Sequence, residues 1–239
     1  MQRRNFIKNT ALFAAATTIG VPSVAEAKAL KPKIKKSLKI EMVKEGNTIM
    51  DKFRLLKELG YDGVEFSSPH KFDHREILDA KQKTGLEIPG VVNSQHWKLP
   101  LSHPDPAIRK QCSDSVVESM NDCKMYGGTT VLLVAGVVNE KISYADAYKR
   151  TQEEIKKLLP HAEKTGIKIA IENVWNNFLI SPVEAARYVD EINHPLLGWY
   201  FDIGNILRYG WPEHWIETLD KRIMKLDVKE YSRKKQNDE

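Results

Sequence analysis

Apolar positions in this chain fall into short runs, each preceded by a longer stretch with helical periodicity. One unit keeps returning: an amphipathic helix, a glycine just past its end, and a brief β run. It is seen in LLKELG-YDGVEF, AKQKTG-LEIPGVV, DCKMYGG-TTVLLVAG and HAEKTG-IKIAIEN. Glycine there closes a helix through a left-handed cap, and the strand follows at once. Helix starts are marked as well, by a capping-box pattern at Thr48 and Asp51 and by Asp105 before Pro106 at a first helical position. Strands are expected to begin near residues 38, 62, 86, 129, 167, 197 and 223. Alternation at that period without hairpin signals predicts a parallel α/β fold.

The central run is Ile167 to Trp175, IKIAIENVW. Its apolar residues read as a strand covered on both faces, and it ends in Glu172 and Asn173. The carboxyl ends of parallel strands carry the chemistry in barrels and open sheets. Two later runs finish alike, GWYF before Asp202 and IMKL before Asp227. After the first strand, Glu41 to Gly46 holds a single glycine, so a dinucleotide fold loses its G-x-G-x-x-G support. The expectation is a TIM (β/α)8-type barrel with seven strands visible and the eighth missing before Glu239, an incomplete barrel.

Charge and cysteine usage change this picture little. Residues 1–27 pair Arg3 and Arg4 with a short apolar stretch from Ala11 to Val21 and an Ala25-Glu26-Ala27 end. That is the pattern of a twin-arginine export signal, hence a periplasmic location. The apolar stretch is well short of the roughly 20 residues that span a bilayer, so no stable membrane anchor is expected. Removing Arg3, Arg4, Lys8 and Glu26 lowers the formal charge from +5 by a net two, to about +3. Much of the rest lies in a basic linker, 28–37, which argues weakly for nucleic acid. The remaining domain, 38–231, has apolar content enough for one sizeable core, and 232–239 is a charged tail. Cys112 and Cys123 lie eleven residues apart on one expected helix, Asp105 to Tyr126. That is about 16 Å of helical rise, too far for a disulfide, and both share an apolar face with Ile108, Val116 and Met120.

Three carboxylates on one barrel mouth would repel one another and raise each other's pKa; a divalent cation resolves this. Glu172, Asp202 and Asp227 are therefore the expected ligands of one divalent metal ion, of the manganese, magnesium, cobalt or zinc class. The structural alternative for Glu172 and Asp202 is helix capping or a loop salt bridge. For Asp227, alternation with Lys225 and Lys229 also fits a solvated strand face.

Five motifs in order, GYDGVEF, IENVWN, YFDIGN, YGWPEHW and KLDVKEY, give the chain a resemblance to the sugar isomerase and epimerase superfamily with the xylose isomerase-like TIM barrel. The resemblance implies metal ligation by Glu172 and Asp202. In that family the strand-seven ligand is usually a histidine, and here Asp227 stands in its place. A fourth ligand, a glutamate on strand eight, would lie beyond Glu239, and restoring it would be expected to raise activity. The implied chemistry is proton transfer next to a carbonyl by Glu172, through an enediolate. Glu65 and His96 correspond to substrate-contacting positions, though Glu65 also suits a mouth salt bridge with Lys44 or Lys229, and His96 a satisfied loop residue. Trp97 and Trp175 would wall a sugar ring. Lys229 would meet an anionic or ketone oxygen, and Asn173 and Asn205 would orient the ligands.

The implied partner is a small-molecule sugar, and because of the export signal a non-phosphorylated sugar, keto sugar or cyclitol. A keto-sugar or inosose lyase, and a non-catalytic sugar-binding or scaffolding relative, stay open, as does homo-oligomerisation. An abasic-site endonuclease is disfavoured, since His70, His74, His96, His103, His161, His194 and His214 fall mostly on helices or loops.

Overall fold

The computed structural model describes residues 34–237. The expected export signal and the first part of the linker lie outside them. Strands β1 (Ser37–Lys39), β2 (Gly63–Ser68), β3 (Gly90–Asn93), β4 (Thr130–Leu133), β5 (Lys168–Glu172), β6 (Leu197–Asp202) and β7 (Ile223–Asp227) form one parallel sheet in chain order. Helices α1 (Ile49–Glu58), α2 (His74–Thr84), α3 (Pro106–Met125), α4 (Tyr144–Thr165) and α5 (Pro182–Ile192) cross between successive strands up to β6. Two short helices, α6 (Ile203–Leu207) and α7 (Pro212–Leu219), lead to β7, and α8 (Arg233–Asn237) follows it. This is an incomplete TIM barrel, with no ladder between the edge strands β1 and β7 among the described residues.

Local signals are realised where expected. Thr48 and Asp51 form the reciprocal capping box of α1, and Asp105 caps α3 with Pro106 in its first turn. Gly85 and Gly166 close α2 and α4 at φ 68° and 72°, a region that favours glycine. Side chains then alternate between two faces. Val131, Leu133, Ile169, Ile171, Trp199 and Phe201 pack into the main core with the helices. Leu132, Ala170 and Tyr200 form a small inner cluster with Val92 and Met224. Cys112 and Cys123 are free and buried, with Val116 and Met120; Ile108 is only half-buried.

Some boundaries differ from expectation. The third strand starts at Gly90 rather than near 86, because Pro89 interrupts the ladder and leaves Glu87 as an isolated bridge to Gly63. The end of the linker belongs to the domain: the Lys36 carbonyl accepts from the Asp62 and Gly63 amides, and its amide donates to Asp62 Oδ2. The charged tail begins as α8, with Arg233 donating to the Leu207 and Gly210 carbonyls.

Strand β7 carries an irregularity that positions the site. Ile223 is opposite Trp199, but Lys225, not Met224, is opposite Tyr200. The extra residue is a β-bulge, and past it the facing of every side chain is reversed relative to a regular strand. Lys225 and Asp227 thereby join Tyr200 and Asp202 on the inner face, and Leu226 turns outward, 47% exposed.

Candidate metal and substrate site

Strands β5, β6 and β7 each end on a carboxylate, Glu172, Asp202 and Asp227. One oxygen from each lies within 4.8 Å of the other two. The solvated-face alternative for Asp227 is thus not what the fold adopts, for the bulge turns it inward.

Asp202 is fully buried and the most firmly held. Its Oδ1 accepts from the Asn205 amide at 2.7 Å and its Oδ2 from Asn205 Nδ2 at 2.8 Å. Asn173 brackets the Asp202 backbone, donating from Nδ2 to its carbonyl at 2.7 Å and accepting its amide at 2.9 Å. Asn205 Nδ2 also reaches the Asn173 carbonyl at 2.8 Å. Asn205 thus holds the Asp202 carboxylate, and Asn173 holds its backbone. Asp202 also caps α6, so the capping alternative is part of the same arrangement.

Two ammonium groups enter the trio. Lys229 Nζ lies 2.8 Å from Asp202 Oδ2, and Lys39 Nζ lies 2.9 Å from Asp227 Oδ2, across the opening between β7 and β1. Burial pushes the Glu172 carboxyl up to about 8; Lys39 opposes this, and Asp202 and Asp227 add to it.

Glu65 takes a different place from the expected one. Strand β2 runs on to Ser68, so Glu65 sits inside the barrel rather than at its mouth. It pairs neither with Lys44 nor with Lys229: its Oε1 meets Lys225 Nζ at 3.0 Å and its Oε2 accepts from the Tyr200 hydroxyl at 2.9 Å. This triad forms a layer beneath the trio, since Tyr200 and Lys225 each stand two residues before an inward carboxylate. Lys39, Tyr200 and Lys225 were not singled out from sequence. Their signal was the period of two within each strand, obscured at Lys225 by the bulge.

His96 is buried, with its Nδ1 accepting the Val134 amide at 3.3 Å, which places the proton on Nε2. Burial, and secondarily Lys39, lower it to about 4, so the imidazole is neutral. Trp175 is half-exposed at the mouth, its Nε1 donating to the Asn205 carbonyl at 3.1 Å, with Arg208 4.5 Å over its ring and Tyr231 against its edge. Trp97 instead lines a separate cavity of about 220 Å³ with Pro100, Pro104, Val137 and Ile142.

A sequence profile described as the xylose isomerase-like TIM barrel matches residues 53–239. The chain belongs to this family. Among curated proteins, L-ribulose-5-phosphate 3-epimerase UlaE of Escherichia coli (strain SMS-3-5 / SECEC) is 24% identical over 172 residues, 67% of this chain. The chain spans 61% of that relative's length. Among solved structures, D-psicose 3-epimerase with D-tagatose from Clostridium cellulolyticum H10 superposes with a TM-score of 0.73 at 16% identity, covering 82% of this chain and 73% of the other. The 3-keto-D-glucoside 4-epimerase YcjR from E. coli gives 0.71 at 15% identity, with 83% and 80% covered. At these identities the structural likeness bears on fold alone. Among the described residues no helix is long and apolar enough to cross a membrane.

Proposed function

We propose that this protein is a sugar isomerase or epimerase that moves a proton at a carbon next to a carbonyl, with Glu172 as the proton-transferring group. The observation that carries the proposal is the convergence of Glu172, Asp202 and Asp227, from three adjacent strand ends, within 4.8 Å at the mouth of an epimerase-family barrel. Burial raises this carboxyl in the ion-free protein, and a bound cation would favour the anionic form that accepts a proton. The name of the curated relative, a ribulose-phosphate 3-epimerase, supports the same reaction class.

The trio fits a divalent cation: its donors are all oxygens, set on separate strands, with Asp202 already oriented. Such a set suits magnesium or manganese within the class expected from sequence. Glu172, Asp202 and Asp227 would hold the ion, which when bound polarises a carbonyl and the hydroxyl beside it. Lys39 and Lys229 neutralise Asp227 and Asp202 until a cation takes up those oxygens. His96 offers its Nε2 proton to a sugar hydroxyl, Trp175 walls the mouth, and Lys229 can pass from Asp202 to a ketone oxygen. Glu65, held by Lys225 and Tyr200, shapes the floor rather than meeting the substrate directly.

The substrate class we propose is a non-phosphorylated keto sugar, in keeping with the twin-arginine pattern at Arg3 and Arg4, which would carry the protein to the periplasm. The test is solvent-deuterium exchange into D-fructose, D-tagatose, D-psicose and L-ribulose 5-phosphate with added manganese. Exchange into a free ketose, reduced by about 10²-fold or more in Glu172→Gln, is the expected result. Exchange into the phosphate ester alone would overturn the substrate class, and exchange unaffected by the substitution would overturn the role of Glu172. A second reading, a sugar-binding relative without turnover, is favoured by the two lysine contacts that already balance two of the carboxylates. Ketose binding with neither metal uptake nor exchange would select it.

A further inference from the structure

Two imidazoles and a carboxylate meet on the helix-facing side of β2, apart from the carboxylate trio. His70 lies in the β2–α2 connection, His74 is the first residue of α2, and Asp122 is in the last turn of α3. One ligand atom from each lies within 4.8 Å of the other two. Tyr126, just past α3, stands between the rings: its hydroxyl is 2.8 Å from His70 Nε2 and 2.5 Å from His74 Nδ1. A phenol has a single hydrogen, so one imidazole accepts it and the other must donate to the phenol oxygen. Both rings are thereby oriented, while His74 Nε2 faces Asp122 Oδ1 at 4.0 Å, beyond hydrogen-bonding range.

Asp122 supplies a second, independent observation. It is buried, and it sits at the negative end of the α3 dipole, where a carboxylate is unfavourable. Its Oδ2 accepts from Ser68 Oγ at 2.7 Å. Among the described residues no lysine or arginine pairs with it, and His74 is its sole ion-pair partner. Buried carboxylates are rarely left without a cation. His70 Nδ1 accepts the Phe72 amide at 3.2 Å, so the nitrogen it would offer a cation, in place of a proton, is Nε2.

We propose that His70, His74 and Asp122 form a second divalent-cation site, of the zinc class, that clamps the β2–α2 connection to α3. Two imidazole nitrogens and one carboxylate oxygen are borderline donors, which suit zinc better than the all-oxygen trio does. Bonds of about 2.0–2.2 Å in tetrahedral array put ligand atoms about 3.4 Å apart. From separations of at most 4.8 Å, that spacing is within reach of modest side-chain rotation. The fourth position faces solvent beside half-exposed His74 and takes water. Tyr126 becomes the outer partner of His74 through Nδ1, and the Phe72 amide that of His70. The site is a structural one, independent of the sugar chemistry at the barrel mouth.

The test is a zinc titration of the chelator-treated full chain, followed by the ring resonances of His70 and His74 in NMR, assigned with His70→Gln and His74→Gln. Both rings should shift together and saturate at one zinc. Asp122→Asn should weaken that response by about 10-fold or more, whereas Asp227→Asn, which alters only the trio, should leave it unchanged. Zinc should also raise the Tm of the wild type more than that of His74→Gln. Zinc uptake that moves neither ring, or a response indifferent to Asp122→Asn, overturns the proposal. If a variant fails to fold, the wild-type titration decides by itself whether the rings bind zinc.

Discussion

Glu172 is the residue on which the proposed chemistry and stability meet. Its carboxyl is raised from an ordinary 4.5 to about 8 in the folded protein, so folding favours the protonated form. Below the unfolded value both states are protonated and nothing is lost. Between there and about 8 the folded state is progressively penalised, and above that the penalty is complete. In chelator, wild-type Tm should therefore fall with rising pH across this window relative to Glu172→Gln, which carries no such charge. Parallel Tm curves for the two proteins would show that burial of Glu172 is not the source. Asp202 is the contrasting case, equally buried but held by Asn173, Asn205 and Lys229.

At the scale of elements, the bulge in β7 decides which residues reach the barrel interior. Deleting Met224 would remove the extra residue and leave Ile223, Lys225, Leu226 and Asp227 opposite Trp199, Tyr200, Phe201 and Asp202 in a regular ladder, so Lys225 and Asp227 stay inward. The deletion should therefore keep metal binding at the trio, which Asp227→Ala abolishes, with the far-ultraviolet dichroism retained in both; loss of binding in a folded deletion variant would refute the assignment. Between α3 and α4 the tie is Glu154, buried and bound to Arg109 at 3.1 Å and Lys157 at 2.9 Å. Burial pushes its carboxyl up, but the hydrogen bonds and charges of Lys157 and Arg109 outweigh this, and the net shift is downward. Its stabilisation is thus present above the ordinary glutamate range and is lost as pH falls through the lowered folded value. Glu154→Gln should cost roughly 1–3 kcal/mol at neutral pH, by denaturant titration, and the difference from wild type should shrink in acid.

At the scale of the whole molecule, the inner face is a stack of charges. The Glu65–Lys225–Tyr200 layer lies beneath, the carboxylate trio above, and Lys39 spans the two edge strands. A Cβ at Gly90 would come within 2.6 Å of Lys225 Nζ and 2.7 Å of the Thr130 carbonyl, so the lower layer depends on a missing side chain across the barrel. The proposed determinant of cellular destination lies at the other end of the chain, in Arg3 and Arg4. Arg3→Lys with Arg4→Lys should hold the protein in the cytoplasm, read by fractionation with immunoblotting; unchanged export would remove the twin-arginine reading and with it the argument for a free sugar.

The repeating helix–glycine–strand unit was legible because caps and periodicity are local: Thr48, Asp51, Gly85 and Gly166 act on neighbours within a few residues. Glu172 and Asp202, and the asparagines beside them, were legible for a related reason, since each stands where an apolar strand ends. Relations across the sheet were not. The inward turn of Asp227 follows from a register shift against β6, and the partner of Glu65 is 160 residues away in the chain. Lys39 reaches Asp227 only because the sheet curls until its edges face each other. The sequence by itself determined the order of elements and the carboxylates at their ends, through short-range geometry. Only the tertiary structure decided which charges meet, because that depends on register and curvature, which are properties of paired strands and not of any one of them.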